Sequence, residues 1–480
     1  TEAKPYFINA TQSENVTVKN KGAYWLAETE YSLGNYQNAL KHFLSVTDKD
    51  INEAKMLNYQ IGYTNFKLKS YPNAAKYFQQ FLDQNFDDND LNDDASNRLG
   101  DSFYAAKGYT NAIKAYNKVI QEGGVGSDYA QYQTAMSNGF LGKNDVKVKN
   151  LETLISDYEG SQLKDDALFQ LATTYTTMNN ASKAQKTYDR LLKNHPKSNY
   201  IPSVLLRQGL LYYSNNNNKK AIEKYKEVVA KHPNSNEAKQ AVTNVKNVYI
   251  DIGKVDEYAA WVKNVSFANV TNAELDNATY QSAENKFLDN NNSKAIESFN
   301  KYLQQFPNGI NVLKAHFYLA QTYNNSKLFD KAIPHYTYVN KQTKSEFTEE
   351  SLTKLANIYL QKEDWSNGIL VLQQLEKEAN YPQNIIFAQS NLMKGYYKKE
   401  DYTNAITYAE KVLLKGKIDT NIAEDAKIIL ARSSFKNNDF LTAEEYFNEA
   451  SKKATGELKA ECLYYNAFFL HENKEYEPST

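Results

Sequence analysis

A single cysteine, Cys462, occurs in 480 residues, so no disulfide can close within the chain and no thiolate cluster can hold a metal. Proline and glycine are scarce, at 9 and 18 residues, which leaves few points where a helix must break. No run of about eighteen apolar residues is present, which excludes a membrane-spanning helix. The opening Thr1-Glu2-Ala3-Lys4-Pro5 lacks the basic start and apolar stretch of a secretion signal, so an exported form would already have shed one. Neither sign of charge dominates: 56 Lys and Arg meet 57 Asp and Glu, and a formal charge of −1 offers no general field to nucleic acid or an anionic membrane.

The constellations of a reactive site are equally thin. The one glycine cluster, Gly123-Gly124-Val125-Gly126, is not followed by Gly-Lys-Ser or Gly-Lys-Thr, so it reads as a connection and not a phosphate cradle; Asn215–Asn218 reads as another. Six histidines are scattered without a His-Glu-x-x-His pair. Asp87-Asp88-Asn89-Asp90 lacks the glycine and closing glutamate of a calcium loop. Asn-x-Ser/Thr triplets such as Asn9-Ala10-Thr11 are expected by chance in an Asn-rich chain. No enzyme, cofactor or metal is expected from this inventory.

What is abundant is aromatic: 38 Tyr and 22 Phe. They recur with small residues in one short pattern: Tyr36, Ala39, Phe43; Tyr71, Ala74, Phe78; Tyr109, Ala112, Tyr116. Ala184 with Tyr188, Ala221 with Tyr225, Ala295 with Phe299 and Ala332 with Tyr336 continue it, followed by Trp365, Gly368 and Leu372, by Tyr402 and Ala405, and by Phe440, Ala443 and Phe447. Weak rungs fall near Val148 and Tyr258, and the step is roughly 37 residues. Twelve residues before each small anchor stands another small residue, as in Leu171-Ala172, Leu319-Ala320, Leu355-Ala356, Gly100 and Gly209. Apolar positions three and four apart on both segments predict two helices, each with one buried stripe. Asn35, Ser70, Asp364, Asp401 and Asp439 stand where a side chain can cap the second helix. Small residues at both positions predict close helix–helix approach, with the aromatic rings filling the space between hairpins.

This pattern resembles the tetratricopeptide repeat, including its proline, here Pro196, Pro233 and Pro307. The resemblance implies an all-α fold, an α-solenoid superhelix of about twelve helical hairpins. A partial repeat is expected at each end: residues 1–11 copy second-helix spacing, and Ala467 with Tyr476 opens another repeat. The segment 264–277 is the expected bend between an N-terminal superhelix, 1–262, and a C-terminal one, 263–480. Uncapped ends would favour end-to-end self-association.

In tetratricopeptide proteins the first helices line a concave groove that takes peptides. The resemblance places Tyr24, Glu28, Tyr59, Tyr63, Asn97, Asp101 and Tyr104 there. Tyrosines in a groove suit protein or peptide partners, since they offer area with a polar tip; the alternative is that they pack between hairpins. The family's Lys and Asn clamp for acidic chaperone tails is not reproduced, because Thr353 stands where the lysine would be beside Asn357. Ala-Ile-Glu-Lys-Tyr (221–225) leading to Lys-His-Pro-Asn-Ser (231–235), and Ala-Ile-Glu-Ser-Phe (295–299) leading to Gln-Phe-Pro-Asn-Gly (305–309), resemble bacterial envelope repeat proteins of the outer-membrane-assembly and Tol-associated type. The Asn, Lys and Tyr excess is similar to long repeat proteins of Bacteroidota. That resemblance implies a periplasmic or outer-membrane-associated scaffold. A cytoplasmic peptide-binding adaptor, or a repeat appendage of a larger enzyme, is the alternative.

Overall fold

The structure is a computed structural model, and it describes residues 2–416 and 418–472. Among the described residues twenty-six α-helices follow one another, forming an all-α solenoid of twelve hairpins. The first unit, Thr1–Val245, holds the hairpins Val16–Ser32 with Tyr36–Leu44, Leu57–Lys67 with Tyr71–Leu82, Asn89–Ala105 with Tyr109–Glu122, Ser127–Phe140 with Asn144–Asp157, Lys164–Thr177 with Ala181–Asn194, and Ile201–Ser214 with Asn218–Lys231. It ends inside the helix Asn236–Ile252, which is followed by the short helix Val255–Val262. The second unit, Lys246–Thr480, continues with Asn272–Leu288 and Asn292–Gln305, Val312–Asn325 and Phe329–Lys341, Thr348–Gln361 and Trp365–Glu378, Pro382–Lys398 and Tyr402–Leu413, and Thr420–Lys436 and Phe440–Ser451. The helix Lys4–Ala10 packs on Val16–Ser32, with Ala10 lying under Gly22, and Gly456–Glu472 packs on Phe440–Ser451. Ala467 lies in the last helix; Tyr476 lies outside the described residues.

Every hairpin turns in the same way. One residue in each turn is left-handed: Gly34, Lys69, Lys107, Gly142, Asn179, Asn216, Gly253, Asn290, Lys327, Glu363, Glu400 and Asn438. The next residue's N–H then reaches back five residues to a first-helix carbonyl at 2.7–3.0 Å, as from Ser70 to Asn65, Gly108 to Phe103 and Asp401 to Tyr396. This C-terminal closure satisfies carbonyls that the helix end leaves open. Only three of the twelve positions are glycine, so the turn geometry imposes a left-handed conformation on Lys and Glu that their Cβ opposes. Gly123–Gly126, by contrast, joins two successive hairpins and not the helices of one.

Within a hairpin, a small first-helix residue faces the ring sixteen residues later. Ala27 and Phe43, Ala172 and Tyr188, Ala283 and Phe299, Ala320 and Tyr336, and Ala431 and Phe447 are all completely buried. Where the small residue is glycine the fit is tighter still: a Cβ on Gly100 would stand 2.4 Å from Tyr116, and one on Gly209 would stand 2.4 Å from Tyr225.

Side-chain capping follows the expectation in part. Asp364, Asp401 and Asp439 accept from the backbone N–H three residues on. Asn35 and Ser70 do not. Asn35 instead donates to Glu30 at 2.7 Å, and Ser70 accepts from Asn73 at 3.1 Å.

Successive hairpins are fastened by a feature that the repeat pattern did not announce. Seven residues before the first-helix small residue stand Asn20, Asp93, Asp128, Asp276 and Glu349, and each accepts hydrogen bonds from the connection into the next hairpin. Asp93 takes the Val125 N–H at 3.0 Å, and Asp276 takes Ile310 N–H at 2.8 Å and the Tyr302 hydroxyl at 2.5 Å. Glu349 takes Asn380 N–H, Tyr381 N–H and Asn384 Nδ2 at 2.9, 3.1 and 2.7 Å. The Gly123–Gly126 cluster is explained here, since a Cβ on Gly124 would overlap the Asp93 carboxylate.

Gly209→Ala is expected to lower stability by about 1–3 kcal/mol through overpacking against Tyr225, although alanine is the better helix former. Urea denaturation followed by circular dichroism measures it, and a neutral result would refute the close-approach account. Glu349→Ala, which strands three donors, is expected to cost about 1–3 kcal/mol in the same assay, with Glu349→Gln milder.

Candidate functional site

First helices touch across hairpin boundaries, as Leu57–Lys67 does Asn89–Ala105, and Asn272–Leu288 does Val312–Asn325. Their outward side therefore forms a continuous strip along a unit, and in the first unit that strip carries a linked set of tyrosines and charges. Tyr59 and Tyr63, one helical turn apart, both donate to Asp94 Oδ2, at 2.7 and 2.5 Å. Asp94 Oδ1 accepts from Arg98 Nε at 3.3 Å, and Arg98 Nη1 reaches Asp101 Oδ2. Asp101 Oδ1 accepts the hydroxyls of Tyr116 at 2.8 Å and Tyr129 at 2.7 Å, and Gln133 donates to the Tyr129 hydroxyl at 2.9 Å. The Arg98 guanidinium lies over the Tyr129 ring, 5.5 Å from its centre. One polar path thus crosses four helices.

Burial dominates its electrostatics. It pushes the Tyr63 hydroxyl up to about 12, with the bond to Asp94 adding to the rise, and it raises Tyr59 further for the same two reasons. Burial also raises the Asp101 carboxyl above the usual carboxylate range, an effect that Arg98 partly offsets. Burial works against charge on Arg98, but Asp101, Tyr63 and Asp94 outweigh it and hold the guanidinium charged. At neutral pH the tyrosines are locked donors, and the strip is a rigid aromatic surface with polar tips.

The seven residues expected to line the groove fall into four separate settings. Tyr59, Tyr63 and Asp101 belong to the network. Tyr24 and Glu28 form a separate pair in the first hairpin, the Tyr24 hydroxyl bonding to Glu28. Asn97 is buried and lies beneath the Gly123–Gly126 connection, its Nδ2 standing 3.0 Å from where a Gly126 Cβ would be. Tyr104 packs edge-on against Tyr109 and Phe140, with ring centres 5.6 and 5.8 Å away. Sequence reasoning passed over Asp94, Arg98, Tyr116 and Tyr129 as partners. The signal was available for two of them: Asp94, Arg98 and Asp101 have the i, i+4 and i+3 spacing of a same-face helical charge row.

A second cluster unites two of the scattered histidines. His316 Nδ1 and His335 Nδ1 are 2.8 Å apart across one hairpin, with the Tyr338 ring stacked on His316 at 3.8 Å and Tyr323 beside His335 at 5.7 Å. One imidazole donates and the other accepts, which requires at least the acceptor to be neutral. Burial, and then the neighbouring ring, lower His316 to about 4; burial lowers His335 as well. Among the described residues no three His, Cys, Asp or Glu side chains sit in metal-binding range, and no helix is long and apolar enough to cross a membrane.

The tetratricopeptide repeat family profile matches residues 59–126, and a second tetratricopeptide profile matches 166–198 and 203–235. No curated protein sequence matches the chain. Similar solved structures include MamA, at 19% identity over 36% of this chain and 95% of that one, with a TM-score of 0.31. YrrB, described as a TPR protein with an unusual peptide-binding site, aligns at 18% identity over 41% of this chain and 95% of its own, with a TM-score of 0.33. A tetratricopeptide repeat protein from Parabacteroides merdae ATCC 43184 aligns at 14% identity over 66% and 98%, with a TM-score of 0.23.

The histidine pair makes a pH prediction. Both folded-state values lie below the ordinary 6.5, so the unfolded chain binds more protons as the solution is acidified. The stability this neutral pair contributes is complete above about 6.5 and is lost as pH falls towards about 4. Urea midpoints measured across that window should fall, and His316→Gln should flatten the slope. Equal slopes in the two proteins would contradict the pairing.

Proposed function

We propose that this array of tetratricopeptide repeats is a protein-binding scaffold whose first-helix strip in the unit Thr1–Val245 receives an extended peptide segment of a partner. The observation that carries the reading is the hydrogen-bonded row from Tyr59 and Tyr63 through Asp94, Arg98 and Asp101 to Tyr129. Such a row holds aromatic rings in fixed rotamers before any partner arrives, so little side-chain entropy remains to be lost on binding. Polar tips along the same strip can meet a peptide backbone, which is how an extended chain is recognised without a deep pocket.

The finer proposal is that the scaffold is an accessory subunit of a bacterial envelope or outer-membrane complex, located in the periplasm or at the outer membrane. Its support is the pair of motifs at 221–235 and 295–309, the first of which lies within the matched repeat 203–235.

Photo-crosslinking tests the strip directly. With a photoreactive residue at Gln60 or Gln133 on first helices, and at the exposed Gln79 or Lys118 on second helices, partner adducts are expected at the first pair and not at the second. Adducts confined to Gln79 and Lys118 would overturn the reading. For the location, fractionation of cells making the full-length product is expected to place it in the periplasm or with outer membranes; recovery in the cytosol alone would favour the cytoplasmic adaptor.

A further inference from the structure

The first hairpin presents a surface unlike the network beside it. Trp25 is 45% exposed, and its indole N–H donates to Glu53 Oε1 at 3.2 Å, which holds that carboxylate beside the ring. Glu53 comes from the turn of 3₁₀-helix Asn52–Met56, which leads into the next first helix. The Tyr24 ring meets the indole edge-on at 5.5 Å, and its hydroxyl bonds to Glu28. Burial keeps the Glu28 carboxyl above its ordinary range, so that charge is already held at a desolvation cost.

These two carboxylates also differ from Asp94 and Asp101 in lacking a cation. Asp94 and Asp101 share Arg98, whereas neither Glu28 nor Glu53 has an ion-pair partner among the described residues. Lys21, one turn before Trp25, pairs with neither. Glu53 Oε2 is buried and receives no hydrogen bond from the chain, so Glu53 acts outward through its charge. An exposed indole flanked by two uncompensated carboxylates is therefore a local negative potential in a chain whose overall charge is only −1.

We propose that this surface takes a basic segment of a partner protein, with a lysine or arginine side chain lying on the Trp25 indole, its cationic head bonded to Glu28 and attracted by the charge of Glu53. The choice of chemistry follows from what each alternative would meet. The aliphatic stem of a basic side chain covers the ring while its head faces the ring's negative quadrupole. Its N–H groups can give Glu28 charge-assisted hydrogen bonds, and the Glu53 charge adds attraction. An acidic segment would be repelled, and an apolar one would bury two carboxylates with no compensating partner. The inference rests on the scaffold reading and narrows it to one end of the strip and one class of peptide.

Fluorescence anisotropy on the full chain tests it, with labelled peptides of alternating lysine and serine, arginine and serine, and glutamate and serine. The two basic peptides should bind with salt-sensitive affinity, and the glutamate peptide should not. The double variant Glu28→Gln with Glu53→Gln should weaken basic-peptide binding about tenfold and reduce its salt dependence. Trp25→Leu should weaken it several-fold through the lost cation–ring contact. The charge-matched control Asp87→Asn with Glu159→Gln, at exposed carboxylates elsewhere, should bind as the parent does. Equal affinity in the two double variants, or equal affinity for basic and acidic peptides, overturns the proposal. The two readings fail separately. Partner adducts at Gln60 and Gln133 that survive the Glu28 and Glu53 changes would leave the scaffold standing and remove the basic selectivity. Basic-peptide binding that depends on Glu28 and Glu53 while those adducts are absent would do the reverse.

Discussion

The contact on which the rest of this molecule depends is the one between a small first-helix residue and the large ring sixteen positions later. Two helices cannot come close enough to share a buried stripe unless one contributes almost no side chain at the crossing, and the space left beside that crossing must then be filled. Gly100 under Tyr116 and Gly209 under Tyr225 meet both demands at once. A single hairpin of this kind still leaves its other faces open, so stability accumulates only as neighbours stack. Cores such as the one joining Tyr280, Phe299, Phe317 and Tyr336 accordingly run through several hairpins, without a single centre.

Stacking by apolar contact alone would leave the angle between neighbours loosely set. The acceptors at Asn20, Asp93, Asp128, Asp276 and Glu349 remove that freedom, because each takes backbone or side-chain donors from the next connection. Hydrogen bonds to a charged acceptor are directional and stronger than neutral ones, and a buried carboxylate left unpaired would be costly. Burial alone would raise Glu349, yet bonds from Asn380, Asn384 and Tyr381 hold it below its ordinary value, which identifies those bonds as the winning effect. A surface built on such a frame keeps its shape, and the Tyr59 to Tyr129 row inherits that rigidity.

Sequence and structure agree best where the determinants are local. The ladder of Ala, Tyr and Phe marks helices because each rung is a contact inside one hairpin. The left-handed turns were harder to see, since Lys69, Lys107, Lys327, Glu363 and Glu400 carry no glycine signal, and tertiary closure of the hairpin outweighs their backbone preference. Asn35 and Ser70 illustrate the opposite error: residue type suited a cap, but their side chains bond with Glu30 and Asn73 instead. Of the residues expected to line a groove, Tyr59, Tyr63 and Asp101 fall in one network, while Asn97 turns beneath a connection that only the folded chain places there.

By itself the sequence determined the class of fold, the period and the number of hairpins, since nearest-neighbour packing writes one short pattern again and again along the chain. Only the tertiary structure decided which side chains meet across hairpins: Asp94 with Tyr59 and Tyr63, His316 with His335, and Glu53 with Trp25. Those meetings depend on the register and rotation between neighbouring helices, set by the volumes of buried rings and by carboxylates that clamp a connection some thirty residues away. No periodicity along a single strand of text encodes a distance between two helices; packing does.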